Sequence, residues 1–366
     1  MEHGGDIYTE GILKGREILD FSSNINPLGV PESFTNNLNE AVKAVEKYPD
    51  VEYRCLKKCI KEYLDFSVEY FKSEAYNEKS ESFISEKDII LGNGAAEIID
   101  LSISCFKKVC IVVPSFIEYE KNALKWRCDI IYSTIKKDMT YDYEDILLQV
   151  KKSEALIIGN PNNPNGGIIN KDKFKKVLDF CEENNKTVII DEAFIEFTGK
   201  NNFSFLEKIK NYKCIFLIRA LTKFFALPGI RIGYGVSKND ELIQKIKSKQ
   251  NPWNINCFAE IAARYVLKDR DYIEDSLKWI NEERKYMILN LKKIALMEEV
   301  YNTYSNFVLC KIKDLNCDEL YKICLDKGIA IRKCDNFKNL NDKYIRLAIK
   351  NRESNNKIIK LLNSLS

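Results

Sequence analysis

The sequence predicts an α/β fold with a mostly parallel central sheet in a large domain, joined to a smaller α+β domain. Three observations carry this. At 366 residues with 45% hydrophobic content, the chain can bury a large core and by size divides into about two domains. Its middle part alternates short β-branched runs with amphipathic stretches. After about residue 258 the pattern changes. The runs "DIILGNG", "KVCIVVPSF", "CDIIYSTI", "EALIIGNP", "TVIIDEAF", "CIFLIRA" and "RIGYGV" are the strand candidates. They are apolar on both alternations, as strands covered on both faces must be. Helical stretches such as "DKFKKVLDFCEENN" lie between them, which implies crossovers and a doubly wound, mostly parallel sheet. Beyond residue 258 come a long charged helix around "SLKWINEERKYMILNLKKI", then strands "NFVLCKI", "AIRKC" and "YIRLAIK", then a last helix. The expected division is 1–45 as an N-terminal arm and part of the small domain, 46–258 as the large domain, and 259–366 as the rest of the small domain.

Composition excludes several classes. Charges nearly cancel, with 57 basic and 54 acidic residues. Lysine-rich runs such as "DKFKK" alternate with apolar residues at helical spacing, as solvated helix faces do, so nucleic acid is not an expected partner. The N-terminal twenty residues scatter charges and hold no apolar stretch, so neither a signal peptide nor a membrane span is expected and the protein should be cytoplasmic. Twelve cysteines are spread through apolar runs, as reduced core residues are. With no C-x-x-C and one histidine, His3, metal is not expected and Ser-His-Asp or Cys-His chemistry lacks its base unless His3 supplies it.

In open α/β sheets ligands sit beyond the carboxyl ends of the strands. There, "GNGAAE" (92–97) ends one strand and opens a helix, which makes a backbone-amide cradle for phosphate, although it is neither a Walker A loop nor a full G-x-G-x-x-G. By itself this stretch, like "NPNNPNGG" (160–167), reads equally as a tight turn. Asp191 closes the apolar run of "TVIID", where a carboxylate must cap a helix or meet a cation. Lys223 stands between Thr222 and two phenylalanines, and Arg231 follows eight residues later.

The order and spacing of GNG, PNNPxG, DEAF and LTKxxxxPGxRxGY resemble the aspartate aminotransferase superfamily, fold type I, of pyridoxal 5'-phosphate (PLP) enzymes. The resemblance implies that Lys223 carries PLP as a Schiff base, which a lysine in an apolar pocket does readily because desolvation lowers its pKa. It implies that Asp191 pairs with the pyridine nitrogen and that Asn163 donates to the phenolic O3′. Arg231, Thr222 and the amides of Ala95 and Ala96 would hold the phosphate, and Phe116 would stack on the ring. Tyr48, in "KYPD", matches a tyrosine that reaches the neighbouring subunit's cofactor, which implies a homodimer with shared sites. Two departures stand out. Ala220 replaces a hydroxyl common three residues before the lysine. Phe194 replaces the tyrosine that histidinol-phosphate aminotransferases place there.

Within the superfamily, "HGG", "FSSNINPLG", "YPD", "DEAFIEF", "LTKFFALPGIRIGY", "NPWNIN" and "YIRLAIK" together are similar to the L-threonine-O-3-phosphate decarboxylase family of cobalamin synthesis, nearly end to end. That resemblance implies decarboxylation of a small phosphorylated amino acid to (R)-1-amino-2-propanol O-2-phosphate. Arg332 and Arg346 would anchor anions, and Asn24 and His3 would close over the substrate. The family's usual HGGN is HGGD here, and Asp6 is expected to face away from the site. A histidinol-phosphate aminotransferase remains the main rival. Decarboxylation of L-serine O-phosphate is a closer variant, since one methyl is worth only about 1–3 kcal/mol of discrimination. A PLP-binding regulator would need an added DNA-binding module.

Overall fold

The computed structural model describes residues 3–71 and 82–365. Thirteen strands are described: β1 (Leu19–Asp20), β2 (Ile89–Gly92), β3 (Lys108–Val113), β4 (Asp129–Thr134), β5 (Ala155–Gly159), β6 (Thr187–Asp191), β7 (Ile215–Ala220), β8 (Gly233–Ser237), β9 (Met297–Val300), β10 (Phe307–Ile312), β11 (Ile329–Ala330), β12 (Arg332–Lys333) and β13 (Tyr344–Ala348). A seven-stranded sheet runs β2-β8-β7-β6-β5-β3-β4. All its pairings are parallel except those of β8, which is antiparallel to both neighbours. The α/β class with a mostly parallel central sheet is thus as the apolar runs imply.

Alternate residues of these strands enter two different cores. Val109, Ile111 and Ile157 pack in one cluster, while Cys110, Val112 and Leu156 pack in the other. Both sheet faces are therefore covered, which is why the strands read as unbroken apolar runs. All twelve cysteines are free and most lie in these cores. The asparagine-rich bias has a local use: Asn170, Asn239, Asn256, Asn316 and Asn351 each cap a helix by accepting backbone N–H groups of its first turn. Among the described residues no helix is long and apolar enough to cross a membrane.

The last third of the chain builds a four-stranded antiparallel sheet, β12-β13-β10-β9. The stretch "AIRKC" is not one strand: β11 pairs in parallel with the N-terminal β1, and β12 turns away to pair with β13. The break at Ile331 lets the N-terminal segment dock beside the arginine pair described below. Strand β8 begins two residues later than "RIGYGV" suggests, because Arg231 adopts a left-handed φ of 63° outside the sheet.

Beneath the carboxyl ends of β6 and β7 lies a buried charge cluster. Arg219 donates through Nε and Nη2 to Glu192 Oε2 at 3.1 and 3.0 Å, and through Nη2 to Ser204 Oγ at 2.7 Å. Glu192 also accepts from the Phe205 N–H at 2.7 Å. Glu196 sits 3.9 Å from Arg219 and receives the Tyr63 hydroxyl, but its Oε2 has no hydrogen-bond partner among the described residues. Burial pushes the Glu196 carboxyl up to about 7, against a pull downward from Arg219. Its folded pKa lies above the ordinary 4.5, so its contribution to stability is fully present below that value and is lost as pH rises through about 7. Urea unfolding across this window should show wild-type stability falling relative to Glu196→Gln, which cannot ionise. Parallel pH profiles for the two proteins would contradict the assignment.

Candidate functional site

A cavity of about 250 Å³ opens at the carboxyl edge of the seven-stranded sheet. The topology sends its residues there. Strands β2, β3, β5, β6 and β7 end at this edge, and β8, being antiparallel, begins at it. Gly233 of β8 consequently lies between Gly92 and Ala220. A side chain at Gly233 would place its Cβ 2.3 Å from the Ala95 N, so only glycine lets the helix Ala95–Ile103 start so close to the sheet. Gly94, with φ 79°, precedes that helix, and a Cβ on it would lie 2.4 Å from Arg231 Nη2. A bare helix N-terminus and a guanidinium thus face the same small space, as an anion site requires.

Lys223 lies in the short helix Leu221–Phe224 that follows β7. Burial pushes its ammonium down to about 8, and the nearby charges of Arg346, Arg231 and Lys350 push the same way. Among the described residues no carboxylate lies within ion-pair distance of it. Asp191, at the end of β6, is in the complementary position. It accepts from the Tyr119 hydroxyl at 2.6 Å and from the Ala193 N–H at 2.9 Å, but meets no cation of the described residues. Burial raises its pKa and the two hydrogen bonds oppose this. Phe116, Thr222, Ala95, Ala96 and Asn163 line the same cavity.

The small sheet supplies the opposite wall. Arg332 and Arg346 face one another in register across β12 and β13, and both are buried. Like charges directly opposite in a sheet repel, so this pairing costs stability unless an anion joins them. Arg346 donates to Asn163 Oδ1 and to the Ser22 carbonyl at 2.8 Å, its Nε has no hydrogen-bond partner among the described residues, and its guanidinium lies 5.1 Å from the Phe307 ring. Burial holds Arg346 down to about 10. Arg332 donates to the Lys333 carbonyl and to Asn336 Oδ1. Surface arginines on exposed strands would look different.

Of the residues singled out from the sequence, His3, Asn24, Ala95, Ala96, Phe116, Asn163, Asp191, Thr222, Lys223, Arg231, Arg332 and Arg346 all line this one cavity. Asn24 is buried there with an unpartnered Oδ1. Tyr48 does not reach it: the ring is 82% exposed and rests on Trp253, 4.8 Å between centroids, so core packing does not explain it either. Phe194 packs edge-on against Phe307 at 5.2 Å. Asp6 faces away, accepting from the Tyr8 and Thr9 N–H groups as the cap of the helix Ile7–Glu10. Sequence reasoning missed Tyr119, the hydrogen-bond donor to Asp191. Its place three residues after Phe116, in the turn that opens the helix Glu118–Lys125, was the available signal.

The family model for aminotransferase class I and II matches residues 16–362, and the chain belongs to that family. It is a PLP-dependent enzyme of fold type I. A relative from Caldanaerobacter subterraneus subsp. tengcongensis, provisionally named a threonine-phosphate decarboxylase, is 38% identical over 100% of this chain and 94% of its own. The threonine-phosphate decarboxylase of Salmonella typhimurium is 29% identical over 99% of this chain and 96% of its own. The solved structure of the histidinol-phosphate aminotransferase from Clostridium acetobutylicum is 50% identical, superposes with a TM-score of 0.88, and covers 95% of this chain and 99% of that one.

The residues present fit the cofactor. A buried carboxylate without a cation, a lysine without a carboxylate and a glycine-built anion cradle share one cavity, and PLP carries a basic ring nitrogen, an aldehyde and a phosphate. Capture of PLP by the cofactor-free protein, followed as growth of its absorption band, should accelerate with pH and level off near about 8. Because Arg346 depresses the lysine, Arg346→Ala should move that inflection upward. An inflection at the ordinary 10.5 would contradict the described environment.

Proposed function

We propose that this chain decarboxylates L-threonine O-3-phosphate to (R)-1-amino-2-propanol O-2-phosphate in cobalamin synthesis, as a cytoplasmic homodimer with shared sites. The observation that carries this reading is the buried Arg332–Arg346 pair, whose mutual repulsion an anionic substrate relieves. PLP, when bound, supplies an electron sink for the pair left on a substrate carbon when one of its bonds breaks. The chain's own residues do the rest. Lys223 Nζ, which burial pushes down to about 8, would hold the cofactor at its aldehyde as the nucleophile and, when free, would carry the proton that replaces the lost carboxylate. Asp191, oriented by the Tyr119 hydroxyl, would hold the ring nitrogen and keep a proton on it. Arg231, Thr222 and the Ala95 and Ala96 amides take the cofactor phosphate. Asn163, whose Oδ1 is engaged by Arg346, is left to donate from Nδ2. Phe116, in the cavity wall, would cover a face of the ring.

Arg332 and Arg346 bind the substrate phosphate and carboxylate, and so fix which group at the reacting carbon is presented for cleavage. Asn24 and His3 close the remaining side. Phe194 leaves Asn163 without the phenolic helper of aminotransferases, which supports the decarboxylase reading. The second reading, a histidinol-phosphate-type aminotransferase, is favoured by the 50% identity to the solved Clostridium acetobutylicum structure. A decarboxylase of L-serine O-phosphate is the nearest variant. The homodimer is supported by Tyr48, which is exposed together with Val42, Val45, Val51 and Trp253. Such a patch suits a second copy, where Tyr48 would reach the cofactor phosphate.

The test is CO2 release from L-threonine O-3-phosphate by the PLP-loaded protein, which should sediment as a dimer. L-serine O-phosphate, and histidinol phosphate with 2-oxoglutarate, are run alongside. CO2 without any oxo-acid, abolished in Lys223→Ala and reduced about 10²-fold or more in Arg346→Ala, is the expected result. Glutamate formation without CO2 would establish the aminotransferase instead.

A further inference from the structure

The geometry points to Glu118 as a positioning residue: its carboxylate clasps His3 and holds the N-terminal strap, residues 3–5, across the mouth of the Lys223 cavity. The strap is moulded to this place. A Cβ on Gly4 would lie 2.0 Å from the Ser22 carbonyl oxygen. Gly5 has φ 93° and donates its N–H to Ser22 Oγ at 2.7 Å. The same Ser22 carbonyl accepts from Arg346, so the strap lies on the segment that braces an anion anchor.

Beyond Gly4 the strap needs an attachment, and His3 supplies it. Its Nε2 donates to Glu118 Oε1 at 2.9 Å, while its ring leans on Phe116 with centroids 6.3 Å apart. Glu118 lies at the start of the helix Glu118–Lys125. Its neighbours Ile117 and Tyr119 line the cavity, whereas Glu118 does not. Its carboxylate meets His3 and, at 3.7 Å, Lys121. A free carboxylate at the rim of an arginine-lined cavity would repel an incoming phosphate; engaged with His3 and Lys121, its charge is offset. The pair is partly exposed, so the clasp is weak enough to open for substrate and serves to keep water out once closed.

Only the choice of substrate in the following test rests on the decarboxylase reading. In the PLP-loaded protein, hydrogen exchange at the Gly5 amide reports strap closure whatever reaction is catalysed. Glu118→Ala should speed that exchange and raise KM for L-threonine O-3-phosphate about fivefold while leaving kcat within about twofold. Glu118→Gln, whose amide oxygen still accepts from Nε2, should restore most of both. In the double variant with His3→Ala, the KM effects should not add, since either change opens the same clasp. Wild-type exchange and KM in Glu118→Ala, or additive effects in the double variant, would overturn the proposal. Altered exchange in a protein that releases no CO2 would leave the clasp standing and remove the decarboxylase reading instead.

Discussion

The site depends on one arrangement: a buried carboxylate, Asp191, to which the described protein offers two hydrogen bonds and no cation. Burying such a group is costly, and a protein normally answers with an arginine or lysine. Arg219 lies on the neighbouring strand β7, one residue past the register partner of Asp191, and is buried, yet it is committed to Glu192. Across the cavity the imbalance is reversed, since Lys223, Arg231 and Arg346 stand together with no carboxylate of the described residues in ion-pair contact. The cavity is therefore polarised, with a bare negative group at one side and bare positive groups at the other. A ligand with a basic ring nitrogen and anionic substituents balances both.

Topology makes this arrangement possible. Parallel strands bring Asp191, Asn163, Phe116 and Lys223 to one edge of the sheet from widely separated positions. The single antiparallel strand, β8, adds Arg231 from its beginning rather than its end. Gly94 and Gly233 let the helix at Ala95 approach within reach of that arginine. The small sheet then closes the cavity with Arg332 and Arg346, held side by side by strand register at a cost that an anion offsets. The Glu192–Arg219 cluster beneath ties the ends of β6 and β7 to one another. Two buried polar atoms without a hydrogen-bond partner among the described residues, Asn24 Oδ1 and Arg346 Nε, lie in the cavity wall.

Much of this was legible in the residues. The seven apolar runs marked the central sheet because both faces are buried, and their ends marked the cavity because function collects there. The short pieces were not legible: β1 and β11 are two residues each, and their pairing depends on contacts some 310 residues apart that no local pattern records. The sequence pattern places Arg231 in a strand that begins after it, since a left-handed φ at one residue leaves no trace in hydropathy. Among site residues, those set by motif spacing converge on the cavity. Tyr119 and Glu118 were overlooked because their roles lie in touching Asp191 and His3, and partnership across 72 and 115 residues is invisible without coordinates. Tyr48, also singled out by its motif, stands outside the cavity of its own chain.

The most direct measurement is the protonation state of the ring nitrogen in the holoenzyme, read by nitrogen NMR of PLP labelled at that atom. If Asp191 is kept without a cation so that the cofactor's ring nitrogen becomes its partner, the nitrogen stays protonated well above the range where the free cofactor loses its proton, and loses it in Asp191→Asn. An unprotonated nitrogen in the wild type, or one unchanged by Asp191→Asn, would contradict the central claim.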